Sequence, residues 1–271
     1  MLGFPASETA NYNKRMTFTG FIGTVCMFPL RAIIRASVAL GIHPNVLTLI
    51  GVLINVVAAV ALGKNHFMLA GVVIIVANIF DFIDGKVAHI TNTQSAFGAF
   101  WDSTLDRFSD IALFLGLIHL YSNLRRTDYV LVTALAMMFT IMISYARARA
   151  ESLIDKCKVG FMERPERIVL FMLGAFTNRM AAVMWVVLVL SIVTVANRIH
   201  YTYLVLNKKP IPTGANFLTA GFSRAFFWRD DRASVPYDLW VVAILAFIWL
   251  TPPDWLRDPT AIGLGVWGWL A

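Results

Sequence analysis

Apolar positions in this chain come in long runs separated by short basic or polar gaps, a pattern that fits neither alternating strands nor one-faced soluble helices. A run of about 20 apolar residues is what a helix needs to cross the hydrocarbon of a bilayer. Six runs predict helices, over Pro44 to Gly63, Phe67 to Asp84, Phe97 to Ser122, Tyr129 to Ser152, Pro165 to Phe176 and Met180 to Leu206. The fifth, PERIVLFMLGAF, is shorter than the roughly 20 residues of a full crossing and is expected to extend into the ERPER segment or to tilt little. Ahead of them, residues 16 to 41 carry Phe18, Phe21, Ile22, Val25 and Phe28 at helical spacing, together with Pro29, Arg31 and Arg35. That mixture predicts an amphipathic helix lying in the membrane interface rather than a span. Beyond about Asn207 the chain turns polar and basic as far as RDDRAS, then apolar again in DLWVVAILAFIWL. For this short segment an interfacial or re-entrant helix and a seventh span both stay open. The expected architecture is an all-α integral membrane protein in three parts. Residues 1–43 form an N-terminal arm and interfacial helix, 44–206 a six-helix domain, and 207–271 an extension whose role the pattern does not define.

Composition narrows the class. With 58% hydrophobic and 14% charged residues the chain is too apolar for a soluble domain of 271 residues. A net charge of +7 raises nucleic acid as a partner, but the basic residues lie in the gaps between apolar runs, where they set topology and meet anionic lipid heads, so nucleic-acid binding is not expected. Counted by gap, the N-terminal arm, the 85 to 98 loop, the 147 to 167 loop and residues 198 to 236 hold seventeen Lys and Arg, against four in the intervening turns. This bias predicts that both ends of the six-helix unit face the cytoplasm, as in a protein of the cell inner membrane. The first residues lack the basic, apolar and small-residue order of a removable signal peptide. Cys26 and Cys157 lie in unlike contexts, so neither a disulfide framework nor a thiolate metal cluster is indicated.

Against this apolar background, the stretch DFIDGKVAHITNTQSAFGAFWDSTLD places Asp81, Asp84, Asp102 and Asp106 within 26 residues. Asp81 and Asp84 are three apart and Asp102 and Asp106 four apart, so each pair projects from one face of its helix. The two helices are expected to be antiparallel neighbours joined by about a dozen residues, which brings four carboxylates together near the cytoplasmic surface. Converging carboxylates in a low-dielectric site repel by several kcal/mol unless cations neutralise them. Carboxylate oxygens favour Mg²⁺, Mn²⁺ or Ca²⁺. Single aspartates at helix ends would instead meet water, Lys86 or Arg107. Gly85 and Gly98, beside the carboxylates, allow a ligand to approach the backbone closely.

Asp81-x2-Asp84-Gly85-x2-Ala88-His89-x8-Gly98-x3-Asp102-x3-Asp106 resembles the signature of the CDP-alcohol phosphotransferase family, D-x2-D-G-x2-A-R-x8-G-x3-D-x3-D, with His89 where the family has Arg. The resemblance covers about residues 10 to 206. It implies six membrane helices, a homodimer, and attack by an acceptor hydroxyl on the lipid-side phosphorus of a CDP-linked lipid, with release of CMP. It further implies two Mg²⁺ or Mn²⁺ ions held by Asp81, Asp84 and Asp102, with Asp106 sharing one ion and acting as general base. Gly85, Ala88, His89 and Gly98 are implied on the nucleotide side, although an imidazole at 89 lacks the forked charge of a guanidinium. PNVLTLIG (Pro44 to Gly51) is similar to the family's P-N-x-x-T-x-x-G, which assigns Asn45 and Thr48 to the CDP-lipid pocket; an ordinary helix start explains the same residues.

SYARARAE (144 to 151), GFMERPERI (160 to 168) and TVANRIHY (194 to 201) resemble the branch of the family that makes phosphatidylinositol phosphate from CDP-diacylglycerol and inositol phosphate. Ser144, Arg147, Arg149 and Arg198 match the positions that would grip the acceptor's phosphate, and charge logic agrees, since a phosphorylated acceptor calls for arginine forks. Arg147 and Arg149, two apart, cannot share a helix face, so one of them is expected to serve the lipid interface or Glu151. Arg164 and Arg167 either order their loop through Glu163 and Glu166 or contact a pyrophosphate, and the sequence leaves that open. Glycerol 3-phosphate also carries a phosphate and is the alternative acceptor. Outside this class, a divalent-cation transporter explains ionisable residues in spans but not their confinement to one membrane side. A non-catalytic relative is the reading that His89 and the tail would favour.

Overall fold

The computed structural model describes residues 30–210 and 235–261, and all regular structure among them is helical. Residues 30–39 form α1, and the part of the expected interfacial helix before residue 30 lies outside the described residues. There follow α2 (Pro44–Gly63), α3 (Phe67–Ile90), α4 (Ala96–Asn123), α5 (Thr127–Glu151), α6 (Arg164–Thr177), α7 (Met180–Leu206), α8 (Val235–Leu250) and the single turn α9 (Pro253–Leu256). Four of these, α2, α3, α5 and α7, are long and apolar enough to cross a membrane. The chain is an all-helical integral membrane protein.

Short polar signals set the boundaries. Pro44 opens α2 behind His43, whose Nδ1 accepts from the Asn45 amide, and Ser95 opens α4 by accepting from the Gly98 amide at 3.0 Å. Asn65, Asn92 and Asn178 sit at positive φ just after α2, α3 and α6, a conformation that asparagine tolerates at helix ends.

The expected break at Asp84 is not there. Gly85 lies inside α3, which runs on to Ile90 and closes where Thr91 Oγ1 donates to the Val87 carbonyl at 2.8 Å. A lone glycine weakens a helix by only about 1 kcal/mol, and packing overrides it: Ile83 and Val87 are fully buried against Leu47 and Ile34 of α1. The α3–α4 connection is therefore the five residues 91–95, not about a dozen.

Helix neighbours form a closed ring in the order α6, α3, α2, α4, α5, α7 and back to α6. A main apolar core fills it, with Leu62, Ile74, Leu117, Met180 and Met184 essentially inaccessible, and a smaller cluster joins α1, α2 and α3. α3 and α4 are thus not close neighbours of each other, contrary to the sequence expectation; each packs along α2, and a gap opens between them at the end where both carry aspartates. α8 extends this unit. It begins with Tyr237 against Glu166 and Phe161 near the start of α6, and ends with Thr251 accepting from Arg179 at the α6–α7 turn, so it covers the depth of the bundle alongside α7.

Candidate active site

The aspartate end of the ring is built from α2 outward. Thr48 and Gly51, one turn apart on α2, face the two aspartates of α3. The buried Thr48 hydroxyl donates to Asp84 Oδ2 at 2.5 Å and fixes that carboxylate. Gly51 makes room for the other: a Cβ there would stand 2.9 Å from Asp81 Oδ1. Across the gap, Asp102, Asp106 and Asp110 follow one face of α4 at four-residue spacing. Asp102 lies within electrostatic range of Asp81, Asp84 and Asp106.

The wall facing them is α6. Arg164 Nη2 stands 2.6 Å from Asp81 Oδ2, and its Nη1 stands 2.7 Å from Asp106 Oδ1, so one guanidinium bridges α3 and α4. One turn on, buried Arg167 donates to Asp110 Oδ2 at 2.5 Å. Arg107 adds a looser contact to Asp106 at 3.5 Å. Arg164 and Arg167 thus meet aspartates rather than their loop's own glutamates. Asp110 is a further site residue, and its signal in the sequence is that the four-residue spacing of Asp102 and Asp106 continues to it.

The residues expected on the nucleotide side lie on the first turns of α2 and α4 and the last turns of α3. Asn45 accepts from the Trp101 indole through its backbone carbonyl at 3.2 Å, and its side-chain oxygen faces Gly98. At Gly85 a Cβ would meet nothing within 4 Å, so this face is free for a ligand. Ala88 is half-buried one turn further, and His89 is exposed on the last turn of α3. Thr48 lies deeper, as a buttress of Asp84.

Of the residues expected at the acceptor's phosphate, two come together. Arg147 on α5 and Arg198 on α7 both approach Glu163 Oε1, at 3.4 and 3.6 Å. Arg147 also pairs with Glu151 at 3.0 Å. Arg198 is 2% exposed and donates to the carbonyls of Ile143 at 2.6 Å and Val159 at 3.1 Å, which leaves its Nη2 turned to Glu163. Arg149 is exposed and bonded to Ser152 on another side of α5, as the two-residue spacing demands, and Ser144 is half-buried one turn before Arg147. The same loop buries Cys157, and burial pushes its thiol pKa up.

Hard divalent cations suit this donor set. Four carboxylates on two helices are the chemistry such ions prefer, and Asp81 Oδ2 and Asp106 Oδ1 are buried without an aligned hydrogen-bond donor. Five aspartates facing three arginines leave a net charge of −2, which one divalent ion balances. Among the described residues no three acidic, imidazole or thiol groups are gathered around one point, because Arg164 stands between Asp81 and Asp106.

Comparison with known proteins gives the family and the fold. A profile described as CDP-alcohol phosphatidyltransferase matches residues 41–197. The archaetidylinositol phosphate synthase of Pyrococcus horikoshii is 35% identical over 173 residues, which cover 64% of this chain and 89% of that protein. Crystal structures of Mycobacterium tuberculosis phosphatidylinositol phosphate synthase share the fold. With CDP-DAG bound, the TM-score is 0.61 at 29% identity, covering 64% of this chain and 93% of the other. In complex with manganese and citrate it is 0.62 at 28% identity, covering 70% and 97%.

Proposed function

The chain belongs to the CDP-alcohol phosphatidyltransferase family, and from that premise we propose that it transfers the phosphatidyl group of CDP-diacylglycerol to a hydroxyl of inositol phosphate, releasing CMP. The observation that carries this reading is the aspartate end of α3 and α4, where one guanidinium bridges Asp81 and Asp106, Thr48 holds Asp84, and Gly85 on the nucleotide side has open space beside it. The enzyme is metal-dependent, and Mg²⁺ or Mn²⁺, when bound, supplies positive charge to the diphosphate and to the attacking and leaving oxygens.

The protein's own residues do the rest. Asp81, Asp84, Asp102 and Asp106 are the metal-holding set, with Thr48 fixing the rotamer of Asp84 and Gly51 leaving space for Asp81. Asp106 takes the proton of the acceptor hydroxyl as its oxygen attacks phosphorus and the bond to the CMP phosphate breaks. Asn45, Gly85, Ala88, His89 and Gly98 form the nucleotide face. Arg147 and Arg198, already gathered on Glu163, bind the acceptor's phosphate beside Ser144. Arg149, directed away from them, meets lipid headgroups.

The same reading gives the topology. α2 to α7 cross the membrane six times with the aspartate end at the cytoplasmic face of the cell membrane, which the lysine and arginine bias supports. α1 lies in the interface with Arg31 and Arg35 exposed, and α8 crosses as a seventh helix.

The test is CMP release from CDP-diacylglycerol by purified protein with inositol phosphate, glycerol 3-phosphate, inositol or serine as acceptor. Release with inositol phosphate that needs Mg²⁺ or Mn²⁺, stops on chelation and falls at least about 100-fold in Asp106→Asn is the expected result. Full turnover by Asp106→Asn, or preference for an unphosphorylated acceptor, overturns the reading.

A further inference from the structure

We infer that Arg164 is a tethered counter-cation that competes with the divalent ion for Asp81 and Asp106 and is drawn off by the substrate's diphosphate, so that metal and CDP-lipid favour each other's binding. This rests on the phosphatidyltransferase reading above. Three observations lead to it.

Arg164 places its two terminal nitrogens 2.6 and 2.7 Å from carboxylate oxygens of two different helices. Hard cations bind carboxylates at about 2.0–2.6 Å, so an ion on those oxygens and a guanidinium against them exclude each other by volume and by charge. Those contacts are also imperfect. Asp81 Oδ2, Asp106 Oδ1 and Arg164 Nε are all buried without an aligned hydrogen-bond partner, so the bridge rests on charge more than on directed bonds. Arg167 differs: its Nη2 is properly bonded to Asp110 and is nearly inaccessible.

α6 therefore has a fixed anchor at Arg167 and a displaceable cation one turn earlier. Arg164 is the first residue of α6, ahead of Pro165, where the chain enters the helix from its loop. A diphosphate offers the forked, anionic acceptor that a guanidinium prefers. Moving Arg164 onto it frees two carboxylate oxygens where the cation's charge is needed. Because such coupling is reciprocal, each ligand raises the other's affinity.

The test is Mn²⁺ binding to purified protein, read by electron paramagnetic resonance without acceptor, hence without turnover. Arg164→Gln is expected to bind Mn²⁺ about tenfold more tightly than the wild type, within the usual range of coupling between sites. Arg164→Lys, which keeps one charge but cannot bridge two carboxylates, is expected between them. Arg107→Gln removes an equal charge beside Asp106 without opening the bridge, and is expected to change affinity by about threefold or less, as for a partly exposed pair. CDP-diacylglycerol is expected to raise the wild type's affinity for Mn²⁺ more than that of Arg164→Gln. Equal or weaker Mn²⁺ binding by Arg164→Gln, or an equal gain in Arg107→Gln, overturns the inference and leaves the proposed function standing. No Mn²⁺ binding by any of the proteins overturns both.

Discussion

Thr48 donates a 2.5 Å hydrogen bond to a carboxylate that is itself buried, and nothing else among the described side chains donates to Asp84. Thr48→Val keeps the shape and removes the donor. A hydrogen bond to a charged group contributes about 1.5–3 kcal/mol, so kcat/KM for CMP release is expected to fall roughly 10- to 100-fold at fixed Mn²⁺, with helicity by circular dichroism unchanged. Gly51→Ala acts on the neighbouring carboxylate by volume, with its Cβ 2.9 Å from Asp81 Oδ1, and the activity lost is expected to return in part at higher Mn²⁺. Asp81, Asp84, Asp102 and Asp106 were legible in the sequence because their three- and four-residue spacings state which face each occupies. The partners of those groups were not. That Arg164 meets Asp81, 83 positions away, follows from a ring closed through α6, and no local pattern encodes it. Thr48 and Asn45 both lie within the first five residues of the same helix, yet one is a buried buttress of Asp84 and the other is half-buried and accepts from Trp101. Cys157, with its thiol pKa raised by burial, is expected to resist alkylation at pH 8 in a Cys26→Ser background until the protein is denatured.

Between elements, the ring depends on helices that approach closely where side chains are small. In a bilayer such contacts rest on packing rather than on exclusion of water. The tightest is α2 against α4, where a Cβ on Gly116 would come within 2.2 Å of the Ala59 carbonyl. Gly116→Ala therefore forces the backbones apart. The expected cost is about 1–3 kcal/mol, seen as a lower thermal unfolding midpoint in detergent and a slower CMP release, since α4 carries Asp102, Asp106 and Asp110 on the same rod. A midpoint unchanged from wild type would show that α2 and α4 have slack. Element positions were largely readable from hydropathy: all six expected helices are present, and all six starts fall within two residues of expectation. What hydropathy did not set was the end of α3, where the apolar run stops at Asp84 although Ile83 and Val87 are packed from α1 and α2. That difference shortens the α3–α4 turn and fixes how far the two acidic faces stand apart.

At the scale of the whole molecule, the described part of the C-terminal extension, residues 235–261, packs on the helical unit although the family profile stops at residue 197. Ile248 is 2% exposed in the main core, while Leu239, Val242 and Leu250 face outward. The far end is pinned at two turns: Arg179 donates to Thr251, and Arg126 and Tyr129 donate to the carbonyls of Arg257 and Leu256. These contacts lie at the opposite end of the bundle from the aspartates, so stability and chemistry are separable there. Ile248→Ala removes three methyl or methylene groups from a packed site, with an expected loss of about 2–4 kcal/mol. For a domain of this size that corresponds to a drop of roughly 5 °C or more in the unfolding midpoint. At temperatures well below the midpoint, kcat for CMP release is expected to stay within about twofold of the wild type, because no atom of Ile248 touches the aspartate gap. An unchanged midpoint would mean that α8 is a loosely docked addition rather than a member of the core, and an unchanged midpoint with a large loss of kcat would place it in the reaction instead.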